Sequence, residues 1–223
     1  MDPMIFDLEK TPLREVNRTL HRLEAGTVQI QNPHGKHSVA AGLRTAIKVY
    51  INGHCGYYAA GMNQLADVVI NGNAGVGVAE NMMSGSVFIT GNASQSAGAT
   101  AHGGLLVVTG DAAARCGISM KGVDIVVGGG IGHMSAFMAQ AGRLVVRGDA
   151  GEALGDSIYE ARLYVRGKVA SLGADCIAKD MRDEHHAELR ALLERAGYDD
   201  DTADYTRYGS ARQLYHFHAG NEY

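Results

Sequence analysis

Three stretches of the chain read almost as copies of one another: Val68-Val69-Ile70-Asn71-Gly72-Asn73-Ala74, Val87-Phe88-Ile89-Thr90-Gly91-Asn92-Ala93 and Leu106-Val107-Val108-Thr109-Gly110-Asp111-Ala112. Each begins nineteen residues after the one before. Working outward, the same glycine returns upstream at Gly53 and downstream at Gly129, Gly148 and Gly167, without a slip of register. The positions four and two residues before each of these glycines are aliphatic every time, from Val49 and Ile51 to Leu163 and Val165. Aliphatics two apart on a β-branched run mark a strand with one face in a core. A unit of nineteen is too short to carry a crossover helix in every repeat. It suits one coil of a solenoid, in which each strand stacks on its equivalent in the next coil.

Seven such coils at a strand spacing of about 4.8 Å make a rod about 34 Å long. A left-handed β-helix is built on hexapeptides, and nineteen is not a multiple of six. The prediction is therefore an all-β chain forming a right-handed, single-stranded parallel β-helix. Asn73, Asn92, Asp111 and Asp149 follow their repeat glycines, which suggests corners in the left-handed backbone conformation. Small residues elsewhere in each repeat fit a narrow lumen, and Val107 is expected in that dry interior.

Composition narrows the function. The chain has 223 residues, 30 of them glycine but only 3 proline, and no tryptophan, so it is neither collagen-like nor low in complexity. A net charge of -4 with no basic stripe gives no reason to expect nucleic acid. Cys55, Cys116 and Cys176 stand about sixty residues apart, a spacing that suits neither a disulfide framework nor a metal knuckle. The amino terminus shows no signal-peptide pattern and no apolar run approaches membrane-spanning length, so a soluble, cytoplasmic protein is expected.

The flanks read as caps over the open ends of the stack. Residues 1–48 form the first cap: a helix entered at Thr11-Pro12, striped by Leu13, Val16, Leu20 and Leu23 and closed by Gly26, then lead-in strands at Val28-Gln29-Ile30 and Ser38-Val39-Ala40. The β-helix occupies 49–179. Residues 180–223 supply a helix from Asp180 to Ala196 with Leu189, Leu192 and Leu193 on its apolar side, a solvated acidic linker at Asp199-Asp200-Asp201, and an aromatic, basic tail. A tail of that composition suits an anchor, with Tyr208, Arg212 and Tyr215 as candidate interface residues.

Candidate catalytic features are weak. Gly128-Gly129-Gly130-Ile131-Gly132 sits in register with the other coil turns and lacks the βαβ setting of a dinucleotide loop. His185-His186 and His216-x-His218 have no partners at structural metal spacing and read as surface histidines. Cys116 reads as a packed thiol. No catalytic, cofactor-binding or metal residue is assigned. From Val49 to Gly110 the only charged side chains are Asp67 and Glu80, and so bare a face points to coverage by other subunits. Arg147 and Arg166 share a column on adjacent coils and need a counter-ion, for which Asp149 and Glu160 are the near candidates.

The glycine repeat resembles the carboxy-terminal domain of the glutamate synthase large subunit and the corresponding β-helix chain of formylmethanofuran dehydrogenase. Over the whole chain, the flanks are similar to the stand-alone β-helix subunit of N-methylglutamate synthase. The residues that carry this are Asp7-Leu8 with Thr11-Pro12-Leu13-Arg14-Glu15-Val16-Asn17, Asn32-Pro33-His34-Gly35-Lys36-His37-Ser38-Val39-Ala40, and Tyr208-Gly209-Ser210-Ala211-Arg212-Gln213-Leu214-Tyr215. The resemblance implies two partners, one like a class II glutamine amidotransferase and one like the FMN-binding synthase domain with an iron–sulfur cluster. It implies that this chain binds no cofactor and scaffolds a complex making N-methylglutamate from glutamate and methylamine. The alternative is the equivalent subunit of another glutamate-synthase-like amidotransferase or of formylmethanofuran dehydrogenase.

Overall fold

The computed structural model describes residues 3–214. In chain order its elements are β1 (Met4–Asp7), α1 (Leu13–Leu20), β2 (Thr27–Gln31), β3 (Lys48–Asn52), β4 (Asp67–Asn71), β5 (Ser86–Ile89) and β6 (Leu105–Val108), then β7 (Lys121–Val127), β8 (Ala141–Val146), β9 (Arg162–Val165), β10 (Cys176–Lys179), α2 (Asp183–Ala196) and β11 (Thr206–Ser210). Strands β1 to β9 stack in parallel and in chain order as one sheet. The chain is a parallel β-solenoid of about seven turns, with two α-helices among the described residues. Val68 faces Val49 and Val87, and the offset of nineteen holds to Leu163 opposite Leu144. A second column of single bridges runs beside the sheet through Cys55, Ala74, Ala93, Ala112, Ile131, Ala150 and Val169.

The lumen is dry. Val49, Val68, Val87, Leu106, Ile125, Leu144 and Leu163 form one fully buried column, and Ile51 to Val165 form the other. Val78, Ala97, Cys116 and Ser135 face them from across the coil, and the Ser135 hydroxyl is satisfied by donating to the Gly132 carbonyl at 2.8 Å.

The repeat glycines answer to a different constraint from the one expected. Of the seven, only Gly53 has a positive φ. A Cβ on Gly72 would lie 2.8 Å from the Gly53 carbonyl carbon, one on Gly148 would lie 2.6 Å from that of Gly129, and one on Gly110 would land on Asn92 Oδ1. These positions are glycine because successive coils pass too close for a side chain. Nor are Asn73, Asn92, Asp111 and Asp149 left-handed corners. Each reaches up one coil: Asn73 Oδ1 accepts from the Asn92 N–H at 2.9 Å, Asn92 Oδ1 from Asp111 at 2.8 Å, Asp111 Oδ1 from Gly130 at 2.8 Å and Asp149 Oδ1 from Lys168 at 2.7 Å. They form a side-chain ladder that satisfies the corner amides.

Left-handed residues do occur, further along each coil. Gly77, Ala79 and Asn81 in one coil, and Ser96, Gly98 and Thr100 in the next, all have positive φ, alternating with residues that do not. With the backbone hand reversed at every second residue, the amides of these left-handed residues point alternately up and down the stack. The Gly77 and Asn81 N–H groups donate to Gln95 and Ala99 in the coil above, whereas Ala79 donates to Ala59 in the coil below. Backbone groups outside the strands thereby find partners without a second full sheet. The second lead-in strand expected at Ser38-Val39-Ala40 is an arc of this kind, with Ser38, Ala40 and Gly42 at positive φ. Val28-Gln29-Ile30, in contrast, belongs to the ladder as β2.

The caps differ from expectation in extent. Helix α1 ends at Leu20, and Gly26 (φ +124) lies at the start of β2. Val16 and Leu20 are buried while Leu13 and Leu23 pack at the edge. At the far end α2 stops at Gly197, left-handed with φ +85, as a helix-closing glycine should be. Its apolar side lies on the outer face of the sheet. Leu189, Leu192, Leu193 and Ala196 cover Val107, Val126, Val145 and Tyr164, forming a second core outside the coils. Val107 belongs to this outer core and not to the lumen. Its side chain alternates away from Leu106 and Val108.

The tail is also built in. Strand β11 runs antiparallel between β9 and β10, with Tyr208 opposite Leu163 on one side and Ala178 on the other. A parallel edge left open at β9 would offer its amides to any passing strand, and the aromatic, β-branched run at Thr206–Ser210 closes it.

Candidate partner faces and the charged cap

Around α2 the apolar contact is flanked by ion pairs. Arg143 clasps Asp124 at 2.6 and 2.9 Å, and Arg195 of α2 reaches the same carboxylate at 3.2 Å. Glu188 accepts from Arg143 at 3.2 Å, Arg162 at 2.7 Å and the Tyr164 hydroxyl at 2.6 Å. The Arg147–Arg166 column finds its counter-ion not in Asp149 or Glu160 but in Asp200. One Asp200 carboxylate takes Arg147 at 2.6 and 2.7 Å, Arg166 at 3.1 Å and the Tyr205 hydroxyl at 2.7 Å. Its side chain is only 7% exposed, so the expected solvated acidic linker is a buried clamp at this residue. The bonds from Arg147, set against burial, hold the Asp200 carboxyl at a pKa of about 2. The Arg147 guanidinium also lies over the Tyr198 ring at 3.9 Å. Sequence adjacency could not reveal this pairing, because fifty-three residues separate Arg147 from Asp200.

The candidate interface residues are placed unequally. Tyr208 is half-buried and packs against the lumenal core from β11. Arg212 is exposed and pairs with Glu160 at 2.9 Å. Tyr215 lies outside the described residues, as do His216 and His218. Of the remaining histidine pair, His185 is buried rather than on the surface. Its Nδ1 accepts from the Arg182 N–H at 3.1 Å, and burial, helped by Arg207, lowers its pKa. His186 Nδ1 pairs with the Thr202 hydroxyl at 2.9 Å.

Among the described residues no three His, Cys, Asp or Glu side chains come together as a metal site. The Cys116 thiol is fully buried and its pKa is pushed up to about 12 by desolvation, which suits packing and not nucleophilic attack. Gly129 hydrogen-bonds back to Gly110 and Ile131 bridges Ala112 and Ala150, so the glycine run is a coil corner. Among the described residues no helix is long and apolar enough to cross a membrane.

The charge-poor coils present apolar side chains that stay about half exposed. Tyr57, Met62, Leu65, Val76 and Met83 are each roughly half exposed. Tyr57 and Val76 share a column nineteen residues apart, and the His37 ring stacks on Tyr57 at 3.8 Å. Met62, Leu65 and Met83 lie on adjacent coils, where the Met83 N–H donates to the Asn63 carbonyl. Between these coils and α1 runs a groove of about 560 Å3 that includes Tyr58 and Met62.

Fold and surfaces together define a class: a capped parallel β-solenoid whose most distinctive surfaces are an uncovered apolar stretch and a charged cap. The chain belongs to the same family as Protein GlxC of Rhizobium meliloti (strain 1021). The two are 59% identical over 222 residues, which covers 97% of this chain and 97% of that relative. No family model matches the sequence. No solved structure matches it.

Proposed function

We propose that this chain is the non-catalytic scaffold subunit of a cytoplasmic N-methylglutamate synthase complex. In that role it holds a class II glutamine amidotransferase-like subunit and an FMN-binding, iron–sulfur-containing synthase subunit in fixed relation while glutamate and methylamine become N-methylglutamate and ammonia. The observation that carries the reading is the half-exposed set Tyr57, Met62, Leu65, Val76 and Met83, on a stretch whose only charges are Asp67 and Glu80. Apolar patches rimmed by polar residues mark interaction sites on soluble proteins. The flank motifs quoted above supply the identity of the complex. Met62 and Tyr57 offer the large, adaptable contacts that interface centres use.

The test is purification of the complex from native cells through a tag on this chain, with mass spectrometry of its companions and an assay for N-methylglutamate. Stoichiometric amidotransferase-like and flavin-bearing chains, with methylamine-dependent product, are expected. Met62→Asp with Leu65→Asp should release a companion while leaving the isolated rod's melting unchanged. A chain that purifies alone, or with molybdopterin-enzyme subunits, overturns the reading.

A further inference from the structure

At the capped end a cavity of about 400 Å3 opens where β9, β11 and the first turn of α2 meet. Five cationic side chains line it, Arg162, Lys179, Arg182, Arg207 and Arg212, against the two carboxylates of Glu160 and Glu184. In a chain whose formal net charge is -4, this is a local excess of positive charge. The topology creates it. Because β11 runs between β9 and β10, Arg207 stands opposite Tyr164 on one side and Lys179 on the other. Arg162, two residues before Tyr164, shares that face. Gly209 lies two residues beyond Arg207, and a Cβ there would meet nothing closer than 3.8 Å, so the floor stays open. The first turn of α2 adds Arg182 and the buried His185 as a wall.

The internal carboxylates pair only three of the five cations. Glu160 is engaged by Arg212 at 2.9 Å, Glu184 lies 3.5 Å from Arg182, and Arg162 shares Glu188 with Arg143. Among the described residues no carboxylate comes within ion-pair distance of Arg207 or Lys179. Arg207 Nε donates to the Asp180 carbonyl at 3.0 Å. Burial, with the nearby Arg162 and Arg182, lowers the Arg207 pKa against the opposing pull of Tyr164 and Asp180. Elsewhere in this cap the chain does supply one: Asp200 serves Arg147 and Arg166, and Asp124 serves Arg143 and Arg195.

We propose that this cavity binds a phosphate-bearing small molecule, with Arg162, Arg182 and Arg207 gripping the phosphate. Guanidinium forks match phosphate oxygens bidentately. A phosphate brings about two negative charges on one group, matching the two cations that lack an ion-paired carboxylate among the described residues, whereas a single carboxylate supplies one. The volume exceeds that of the phosphate alone and leaves room for a small organic body. The inference rests only on the cap and stands apart from the scaffold reading.

The experiment titrates the full chain with inorganic phosphate, by calorimetry and 31P NMR, at ionic strength held constant with chloride. Acetate serves as the carboxylate probe. One saturable phosphate per chain is expected, with Arg207→Gln and Arg182→Gln each weakening it about tenfold or more. Arg14→Gln on α1, at the opposite end, should change nothing. Arg182 is largely exposed, so its variant reports even where Arg207→Gln fails to fold. The proposal is overturned by an absence of saturable phosphate binding up to about 10 mM. Affinity unaltered in Arg182→Gln, or acetate binding as tightly as phosphate, overturns it equally.

Discussion

Replacing Asp200 with Asn should loosen the capped end of the rod, and the structure sets the magnitude. The substitution keeps the shape and one acceptor but removes the charge that faces Arg147 at 2.6 and 2.7 Å and Arg166 at 3.1 Å. Two guanidinium groups on adjacent coils are then left without their shared counter-ion. The pKa of about 2, against an ordinary 3.8, gives a floor of about 2 kcal/mol for the worth of the ionised form. Breaking a buried pair by removing one partner typically costs about 3–5 kcal/mol, and the partial exposure of both arginines places this case at the low end. We expect a loss of about 3 kcal/mol, equivalent to about 6–12 °C in melting temperature for a chain of this size. The carboxyl pKa is depressed on folding, so its contribution is fully present above pH 3.8 and is lost as pH falls through about 2. Thermal melting of both proteins at neutral pH and between pH 4 and 3, with hydrogen exchange across β8, β9 and α2, is the assay. A neutral-pH difference below about 1 kcal/mol, or a difference that does not shrink on acidification, would falsify the clamp.

Four further outcomes follow from particular contacts. Leu106→Asp should disrupt the stack itself, whereas Val107→Asp should release α2 first and leave the lumenal amides protected; hydrogen exchange separates the two. Gly148→Ala should cost about 1–3 kcal/mol, since its Cβ would press on the Gly129 and Gly130 backbone at 2.6–2.7 Å, and denaturant melts read this directly. The folded-state pKa of His185 is lowered, so the cap should be fully stable above pH 6.5 and weaken as pH falls below it; His185→Gln should flatten that slope, with Glu184, Arg162, Arg182 and Arg207 the charged groups around it. Cys116, at a pKa of about 12 and fully buried, should resist iodoacetamide at pH 8 until the chain unfolds, and labelling of the native protein at the rate of a free thiol would show an open lumen.

The coil repeat was legible because two constraints repeat with it. The lumen demands aliphatics at two fixed positions, as at Val68 and Ile70, and the corner admits only glycine where coils approach within contact distance, as at Gly72. The reason for that glycine was not legible. Close approach and left-handed backbone both select glycine, and only the position of the neighbouring coil tells them apart. The outer core beneath α2 did leave a trace. From Leu105 on, the strands are apolar on both faces, and the leucine stripe of α2 needed a surface to cover. Asp200 left none, since its partners lie fifty-three and thirty-four residues back and its neighbours Asp199 and Asp201 make it look like part of a solvated run. The same blindness hid β11, whose residues suit a strand and an exposed anchor equally well.

The column between the two lumenal positions changes its meaning along the rod. In β6 to β9 it reads Val107, Val126, Val145 and Tyr164, all buried by α2; in β3 and β4 it reads Tyr50 and Val69, only half-buried and beyond the reach of that helix. Fourteen residues of helix rise about 21 Å, which at about 4.8 Å per coil reaches from β9 back to β5, where Phe88 packs partly buried against the same outer core. The chain therefore dresses one half of its sheet face with its own helix and leaves the other half, together with Tyr57, Met62 and Leu65, to water or to another protein. On the proposed reading a partner element takes up that face where α2 ends. The charge distribution agrees with such a division. The covered half is fringed by the ion pairs of Asp124, Glu188 and Asp200, while from Val49 to Gly110 the chain carries only Asp67 and Glu80, a sparse charge complement for so apolar a surface.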